Sequence, residues 1–296
     1  MREKIQKALF DWNKSVVKNL ASDDVCRLPE YALQLSRIIA FPELDVRNEI
    51  SKIDQIGLKI CKTLENFSQS RPTQIIGRIN DQLYRKEKFR PNRDDYYNPS
   101  NSFLNVVIRR KIGIPITLSI VYMRVAESLN FKLVPVSFPS HFLIKYILEG
   151  ESEIIIDPYN EGRIMDDYSL KQLLDQTAPR LSVALTRDFV ARASVTKVMI
   201  RMLNNLKTSY FECQDIDKAE LVNEMILHIH SNDQYGLRDK GMIMLKRKYQ
   251  QEALELFNQY IEKYPEADDI DPILELVRKL KKNQGREQDS FKSAKN

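Results

Sequence analysis

Apolar residues recur at three- to four-residue steps through most of this chain. That helical period is broken in one place, by three short runs of β-type residues between Phe131 and Asp157. A period near 3.6 buries one stripe of a helix, whereas short Val-, Ile-, Leu- and aromatic-rich runs bounded by turn signals fit strands. The break predicts an α+β fold, mostly helical, with a small sheet between two helical stretches. The runs are Phe131–Phe138, His141–Leu148 and Glu153–Asp157. Pro139-Ser140 joins the first pair and Glu149-Gly150-Glu151-Ser152 the second, and connections this short predict antiparallel pairing. A helix over Pro115–Leu129 precedes the sheet, and one near Ser169–Gln176 follows it.

The first hundred residues read as a helical N-terminal lobe. Ile5, Leu9, Trp12, Val16 and Leu20 share one face, and further helices are expected at Leu28–Phe41 (ahead of Pro42), Leu44–Leu64 and Pro72–Lys86. Cys61 falls on the apolar stripe of the third and is expected in the core. The stretch Lys86–Ser102, with Pro91, Asp94, Asp95, Asn98 and Pro99, reads as a loop.

With 296 residues there is room for one large or two ordinary domains, and two units are expected. Only 8 glycines disfavour an all-β sandwich or a glycine-loop nucleotide enzyme. Lys and Arg total 46 against 41 for Asp and Glu, an excess of 5 spread thinly along the chain, so nucleic-acid binding is not favoured. Cys26, Cys61 and Cys213 are odd in number and form no CxxC pair, which points away from a disulfide framework or a cysteine zinc site. His228 and His230 are two apart on a helix and face different sides, one at the surface and one in the core, so no metal or cofactor site is expected. The N-terminus lacks an apolar signal core, and Ile112–Met123 is too short to span a bilayer, so a cytoplasmic protein without a membrane segment is expected.

From Arg187 to Leu280 the pattern is helical again. Ala219 and Ala253 stand 34 residues apart, as do Leu203 and Leu237, and 34 is the period of tetratricopeptide helix pairs. Gly241, Ala253, Phe257, Tyr260 and Pro265 fit the repeat well in the second copy; the first keeps Tyr210 and Ala219. The expected organisation is a helical lobe (1–100), a central domain (101–186), tetratricopeptide-like helices (187–283) and a disordered polar tail (284–296).

Three groups of residues could meet at one point of such a fold. They are Asn101-Ser102-Phe103-Leu104 with Gly113-Ile114-Pro115-Ile116-Thr117-Leu118-Ser119, then Ser140-His141-Phe142-Leu143, then Ile156-Asp157-Pro158-Tyr159-Asn160. A histidine on one strand and an aspartate ending the next form the base and its orienting group in nucleophilic catalysis. In order and spacing these parts resemble the papain-type, transglutaminase-like fold. The NSFL, GIPITLS, HFL and IDP motifs with helical repeats behind them resemble the bacterial SirB-type family, a transglutaminase-like domain fused to tetratricopeptide repeats.

By that resemblance His141 takes the place of the catalytic histidine and Asp157 that of the aspartate. The nucleophile's place falls on Pro115, which has no reactive group, although proline suits the first turn of a helix. Ser119, one turn further on, is the only stand-in on the same face; Thr117 points away. A serine hydroxyl would also need an oxyanion hole. The resemblance therefore implies a non-catalytic binding module of regulatory or scaffolding type, holding a protein or peptide on its tetratricopeptide helices. The first alternative is a cysteine-independent peptidase- or amidase-like hydrolase using His141 and Asp157 with Ser119 or water. The second is an RNA-associated adaptor using a basic rim of Arg85, Lys86, Lys88, Arg90, Arg93, Arg109, Arg110 and Lys111, with Tyr84, Tyr96 and Tyr97 for stacking.

Overall fold

The computed structural model describes the backbone of residues 2–62, 71–148, 152–179 and 184–293, and the chain divides into two compact units, residues 1–209 and 210–296. The first unit opens with helix α1 (Arg2–Ser15), which leads through a 3-10 segment into α2 (Leu28–Ile39) and α3 (Val46–Cys61). Trp12, Val16 and Leu20 are buried on the face that the periodicity marks out. The Asp45 carboxylate caps α3 by accepting from the N–H groups of Arg47 and Asn48. α4 (Pro72–Asn80) runs on into a wider π turn at Asp81–Lys86.

The stretch 86–102 is less free than a loop reading implies. Arg90–Pro91 forms a short strand, β1, parallel to β2 (Ile112–Gly113). Between them lies α5 (Leu104–Arg110), a helix too short to show a period, and directly after β2 comes α6 (Pro115–Ser128). α6 is buried along most of its length and packs against α3 and against the sheet. Residues 1–100 and 101–186 thus pack together within one unit.

The sheet has the order β3 (Val134–Val136), β4 (Leu143–Ile147), β5 (Glu153–Asp157) and β6 (Arg163–Met165), antiparallel throughout. The α+β, mostly helical fold expected from the broken period is the fold observed. β3 is shorter than the run that announces it, because 131–133 lead into the sheet without pairing. β6 has no sequence signature of its own; it pairs because the turn after Asp157 folds the chain back. Three residues of the expected hairpin turn, 149–151, lie outside the described residues, but Leu148 N–H donates to the Ser152 carbonyl across it (2.8 Å). Val136, Phe138, Leu143, Ile155 and Met165 bury one side of the sheet against α7 (Asp167–Thr177).

α8 (Val195–Glu212) starts later than the helical period does. Residues 187–190 form a 3-10 turn, Arg192 bridges to Val136, and Ala193 N–H donates to the Pro135 carbonyl (2.8 Å), so this segment covers the free edge of β3. Cys61 does not sit in the core: it ends α3 as an exposed residue, where the last turn runs off the packed face.

In the second unit, α9 (Ile216–Ile229) and α11 (Gln250–Lys263) begin and end 34 residues apart, with α10 (Gln234–Lys246) between them and α12 (Ile270–Ser293) after. Gly241 is required where α10 meets α11: a Cβ there would lie 2.6 Å from the Phe257 ring. The polar stretch expected as a disordered tail instead continues α12 as far as Ser293, since its Lys, Gln, Arg and Glu residues are good helix formers; 294–296 lie outside the described residues.

Asp23 ties the N-terminal segment to α8, accepting from Val195 N–H and from Arg192 Nη1, both at 2.6 Å. Burial raises its carboxyl pKa, but these two donors outweigh it and hold the group below the ordinary value. A carboxylate lowered in the folded state contributes stability above its unfolded pKa of about 3.9, and that stability is lost as pH falls through the folded value. Because the side chain is one-third exposed, solvent screening keeps the effect small. Asp23→Asn should lower stability by about 1 kcal/mol at neutral pH in urea unfolding. Wild type and variant should converge as pH is taken down from about 4.

Candidate functional site

The chain reverses sharply at Ser140, whose φ is +50°, and places His141 just ahead of β4 rather than within it. Asp157 closes β5 and caps the following 3-10 turn, Pro158–Asn160, as a turn-forming aspartate does. The two side chains meet: His141 Nε2 lies 2.9 Å from Asp157 Oδ1, with His141 5% exposed and Asp157 fully buried. Asp157 Oδ1 also accepts from the N–H groups of Tyr159 (3.0 Å) and Asn160 (3.3 Å), and Oδ2 accepts from Asn160 Nδ2 (2.7 Å). With Asp157 the acceptor in all four bonds, His141 Nε2 is the donor to Asp157 Oδ1. Nδ1 makes no hydrogen bond among the described residues.

The turn that carries Asp157 is held from several sides. Tyr84 Oη donates to the Pro158 carbonyl (2.8 Å), and Tyr159 Oη donates to the Asn92 carbonyl (3.1 Å). Burial, reinforced by Tyr122 and Asp157, pushes the Tyr84 phenol well up, so it remains a donor at any physiological pH. Arg93 donates to Asn160 Oδ1 (2.8 Å) and lies over the Tyr159 ring, whose edge contacts the His141 imidazole. Gly162, at φ +72°, leaves the turn where a Cβ would strike the Asn80 side chain, and Asn80 Nδ2 donates to the Gly162 carbonyl (2.9 Å). Arg201 on α8 donates to Ser137 Oγ and the Phe138 carbonyl and lies over the Phe142 ring; burial, partly offset by Tyr96, lowers its pKa to about 10.

α6 packs against both β4 and the 158–160 turn, and its first turn, Pro115-Ile116-Thr117-Leu118, contains no cysteine. Pro115 occupies the first helical position, buried, behind Ile114, whose N–H donates to Thr117 Oγ1 (3.1 Å). Thr117 is committed as a cap: its hydroxyl proton lies between the carbonyls of Asn101 (3.0 Å) and Ile114 (3.2 Å). Asn101 in turn bonds Asn92 (2.9 Å) and the carbonyls of Asp95 and Tyr96. Ser119 is fully buried, and its Oγ has no hydrogen-bond partner among the described residues, whereas an activated serine is bonded to its base.

The cysteines supply no substitute within this network. Cys26, an exposed residue, borders a cavity of about 200 Å³ with Asp24 and Glu127. Desolvation together with those carboxylates pushes its thiol up to about 12, so it stays protonated at neutral pH. Cys213 is exposed and lies 3.7 Å from the Tyr210 carbonyl. His228 and His230 are both at the surface, which corrects the expected split between surface and core: His228 points back to the Glu224 carbonyl, and His230 lies past the last turn of α9. Among the described residues no group of three or more His, Cys, Asp or Glu could hold a metal ion. No described helix is long and apolar enough to cross a membrane.

The basic rim breaks up in three dimensions. Arg85 and Lys86 pair with Asp81, Lys111 pairs with Glu87, and Arg93 is drawn onto Tyr159 and Asn160. Tyr84 and Tyr96 are partly buried, leaving Tyr97 as the open ring of the three.

A helix packed on an antiparallel sheet, with a buried histidine–aspartate pair at the ends of its two central strands, fits a transglutaminase-like domain, and the chain belongs to the transglutaminase-like superfamily, whose model matches residues 48–204. A UPF0162 protein of Xylella fastidiosa is 30% identical over 269 residues, spanning 88% of this chain and 92% of its own. Protein SirB1 of Salmonella typhimurium is 28% identical over 239 residues, or 80% of this chain and 84% of its own. These relatives bear out the SirB-type resemblance read from the motifs. F-box only protein 21 of Mus musculus is 30% identical over 189 residues, 55% of this chain but 29% of that longer one. No solved structure matches at a significant level.

Asn92, Tyr84 and Arg201 are the site residues that sequence reasoning missed in this role, Tyr84 having a place only on the basic rim. Tyr159 and Asn160 lie in the Ile156-Asp157-Pro158-Tyr159-Asn160 motif, where an asparagine two residues beyond the proline accompanies the aspartate–proline turn. The other three reach the site from distant segments and leave no local trace. Asp157→Ala would strand the His141, Tyr159 and Asn160 donors, and a loss of about 3 kcal/mol is expected in chemical denaturation. Asp157→Asn, which keeps an acceptor oxygen, should lose less.

Proposed function

We propose that the protein is a non-catalytic binding module, in which a transglutaminase-like domain without its nucleophile is joined to tetratricopeptide-like helices that hold a protein or peptide partner. The observation that carries this reading is the first turn of α6, where Pro115 offers no reactive atom and Thr117 is spent as a cap. Ser119, the stand-in, is buried without the hydrogen bond that would activate it. The helical half of the reading is supported by the 34-residue offset between α9 and α11 and by the close approach of Gly241 to Phe257. Stacked helix pairs of that period leave a groove for an extended peptide or a partner helix. A relative in which the shared region is only 29% of a longer protein is consistent with use of the domain as a module. On the sequence grounds above, this reading places the protein in the cytoplasm and gives it a regulatory or scaffolding role.

One observation favours a second reading. The His141–Asp157 pair keeps the order of a base and its orienting group, and Nδ1 of His141 is unengaged among the described residues. A hydrolase using water or Ser119 would use that nitrogen to take up a proton.

A single experiment separates the two: quantitative pull-down from native bacterial extract with wild type, His141→Ala and Ala253→Trp, followed by mass analysis of the retained species. For a binding module, wild type and His141→Ala hold the same unmodified partner. Ala253→Trp loses it, because Ala253 is fully buried and overpacking it disrupts the helix pair. A species trapped by His141→Ala but released cleaved or altered by the wild type would sink the non-catalytic reading. Capture by Ala253→Trp, with its repeat shown to be disrupted by circular dichroism, would remove the helices as the binding surface.

A further inference from the structure

A cavity of about 770 Å³ opens in the first unit between the end of α2, the 40–44 turn, α3 and α5. Neither His141 nor Asp157 lines it, and the binding reading above makes no use of it. Its volume lies within the range of roughly 300–1,000 Å³ typical of small-molecule sites.

Two chemistries meet on its wall. Phe41, Leu44, Ile56 and Ile108 supply an apolar surface, and Lys52, Lys59, Arg109 and Lys111 supply positive charge. That charge is only partly neutralised. Lys52 pairs with Glu49, whereas Lys59 (2.6 Å) and Lys111 (3.3 Å) share the single carboxylate of Glu87. Arg109, exposed at the end of α5, makes no ion pair among the described residues. Glu43, which pairs with no cation among the described residues, lies on the 40–44 turn, apart from the Glu87 cluster in sequence. The cluster is assembled by the β1–β2 pairing, in which Arg90 N–H donates to the Lys111 carbonyl (2.8 Å) and brings residue 87 beside the end of α5.

We propose that this cavity binds a small amphipathic anion, an apolar body carrying a carboxylate or phosphate, with the apolar part against Phe41, Ile56 and Ile108 and the anion on Arg109 and the Lys59–Lys111 pair. A guanidinium takes either oxyanion through two parallel N–H bonds, and a lysine pair sharing one carboxylate has a positive charge left over. The site is independent of partner capture by the C-terminal helices, so either proposal can fail without the other.

The test is titration calorimetry on the full chain with octanoate and octyl phosphate, set against inorganic phosphate, octylamine and vesicles containing an anionic lipid. The expected result is one-to-one binding of octanoate, octyl phosphate or both, with neither inorganic phosphate nor octylamine matching them. Arg109→Glu should weaken that binding by about tenfold or more, the worth of one charge-assisted contact. Gln55→Trp places a large side chain at an exposed lining position without removing a core contact, and should abolish binding while the circular dichroism spectrum is unchanged. Absence of saturable binding of both anions overturns the proposal, as does equal binding of octylamine or undiminished binding by Gln55→Trp. Inorganic phosphate binding as well as octyl phosphate would reduce the feature to a charged patch. Binding to the vesicles alone would make it a membrane-facing surface instead.

Discussion

A fully buried aspartate, Asp157, is the point from which the central domain is organised. An unpaired carboxylate in that position would be costly, and the fold meets the cost with four N–H donors, three of them from the two residues that follow Pro158. Satisfying it determines the turn, the turn determines where β6 returns to the sheet, and the fourth donor holds the His141 ring at the mouth of β4. From the same turn Tyr159 reaches the Asn92 carbonyl, Asn92 bonds Asn101, and Asn101 receives the Thr117 hydroxyl at the start of α6. The histidine, the aspartate and the first turn of α6 are therefore joined through one set of polar contacts.

That network also accommodates a proline at the start of α6. The first helical N–H has no intrahelical partner, so Pro115 gives up nothing there, and its fixed φ favours the turn that β2 must make into α6. Thr117 supplies the capping oxygen from inside the helix, and its second contact, to Asn101, ties the 86–102 stretch down. A buried polar group is costly when left unpaired, and here the Asp157 carboxylate has four donors and the Thr117 hydroxyl two carbonyls.

Legibility in the sequence tracked the length over which a pattern repeats. The helices with several turns, from α1 to α11, announce themselves by period, and β4 and β5 by their β-branched runs between turn residues. α5, with seven residues, β6, with three, and the two-residue β1–β2 pair fall below what any period can reveal; each exists because of a distant partner. The same limit applies at the site. His141 and Asp157 were readable because motif order places them, while Asn92, Tyr84 and Arg201 enter from segments tens of residues away. Cys61 was misread because the apolar stripe of α3 continues in sequence past the point where its packing partner ends.

Charge shows the converse error, in which composition hides an organisation that the fold creates. Along the chain the basic residues between 85 and 111 look diluted by Asp94 and Asp95. Folding separates them: Arg85 and Lys86 are taken by Asp81, Arg93 by the Asp157 turn, and Lys111 is swung by β2 to share Glu87 with Lys59 from α3. Burial raises the Glu87 carboxyl pKa, but the two lysines outweigh it and hold the group below its ordinary value, so at neutral pH this cluster is one carboxylate between two ammonium groups. The meeting of Lys59, Lys111 and Glu87 beside an apolar cavity is thus a product of strand pairing, which no run of charges along the chain announces.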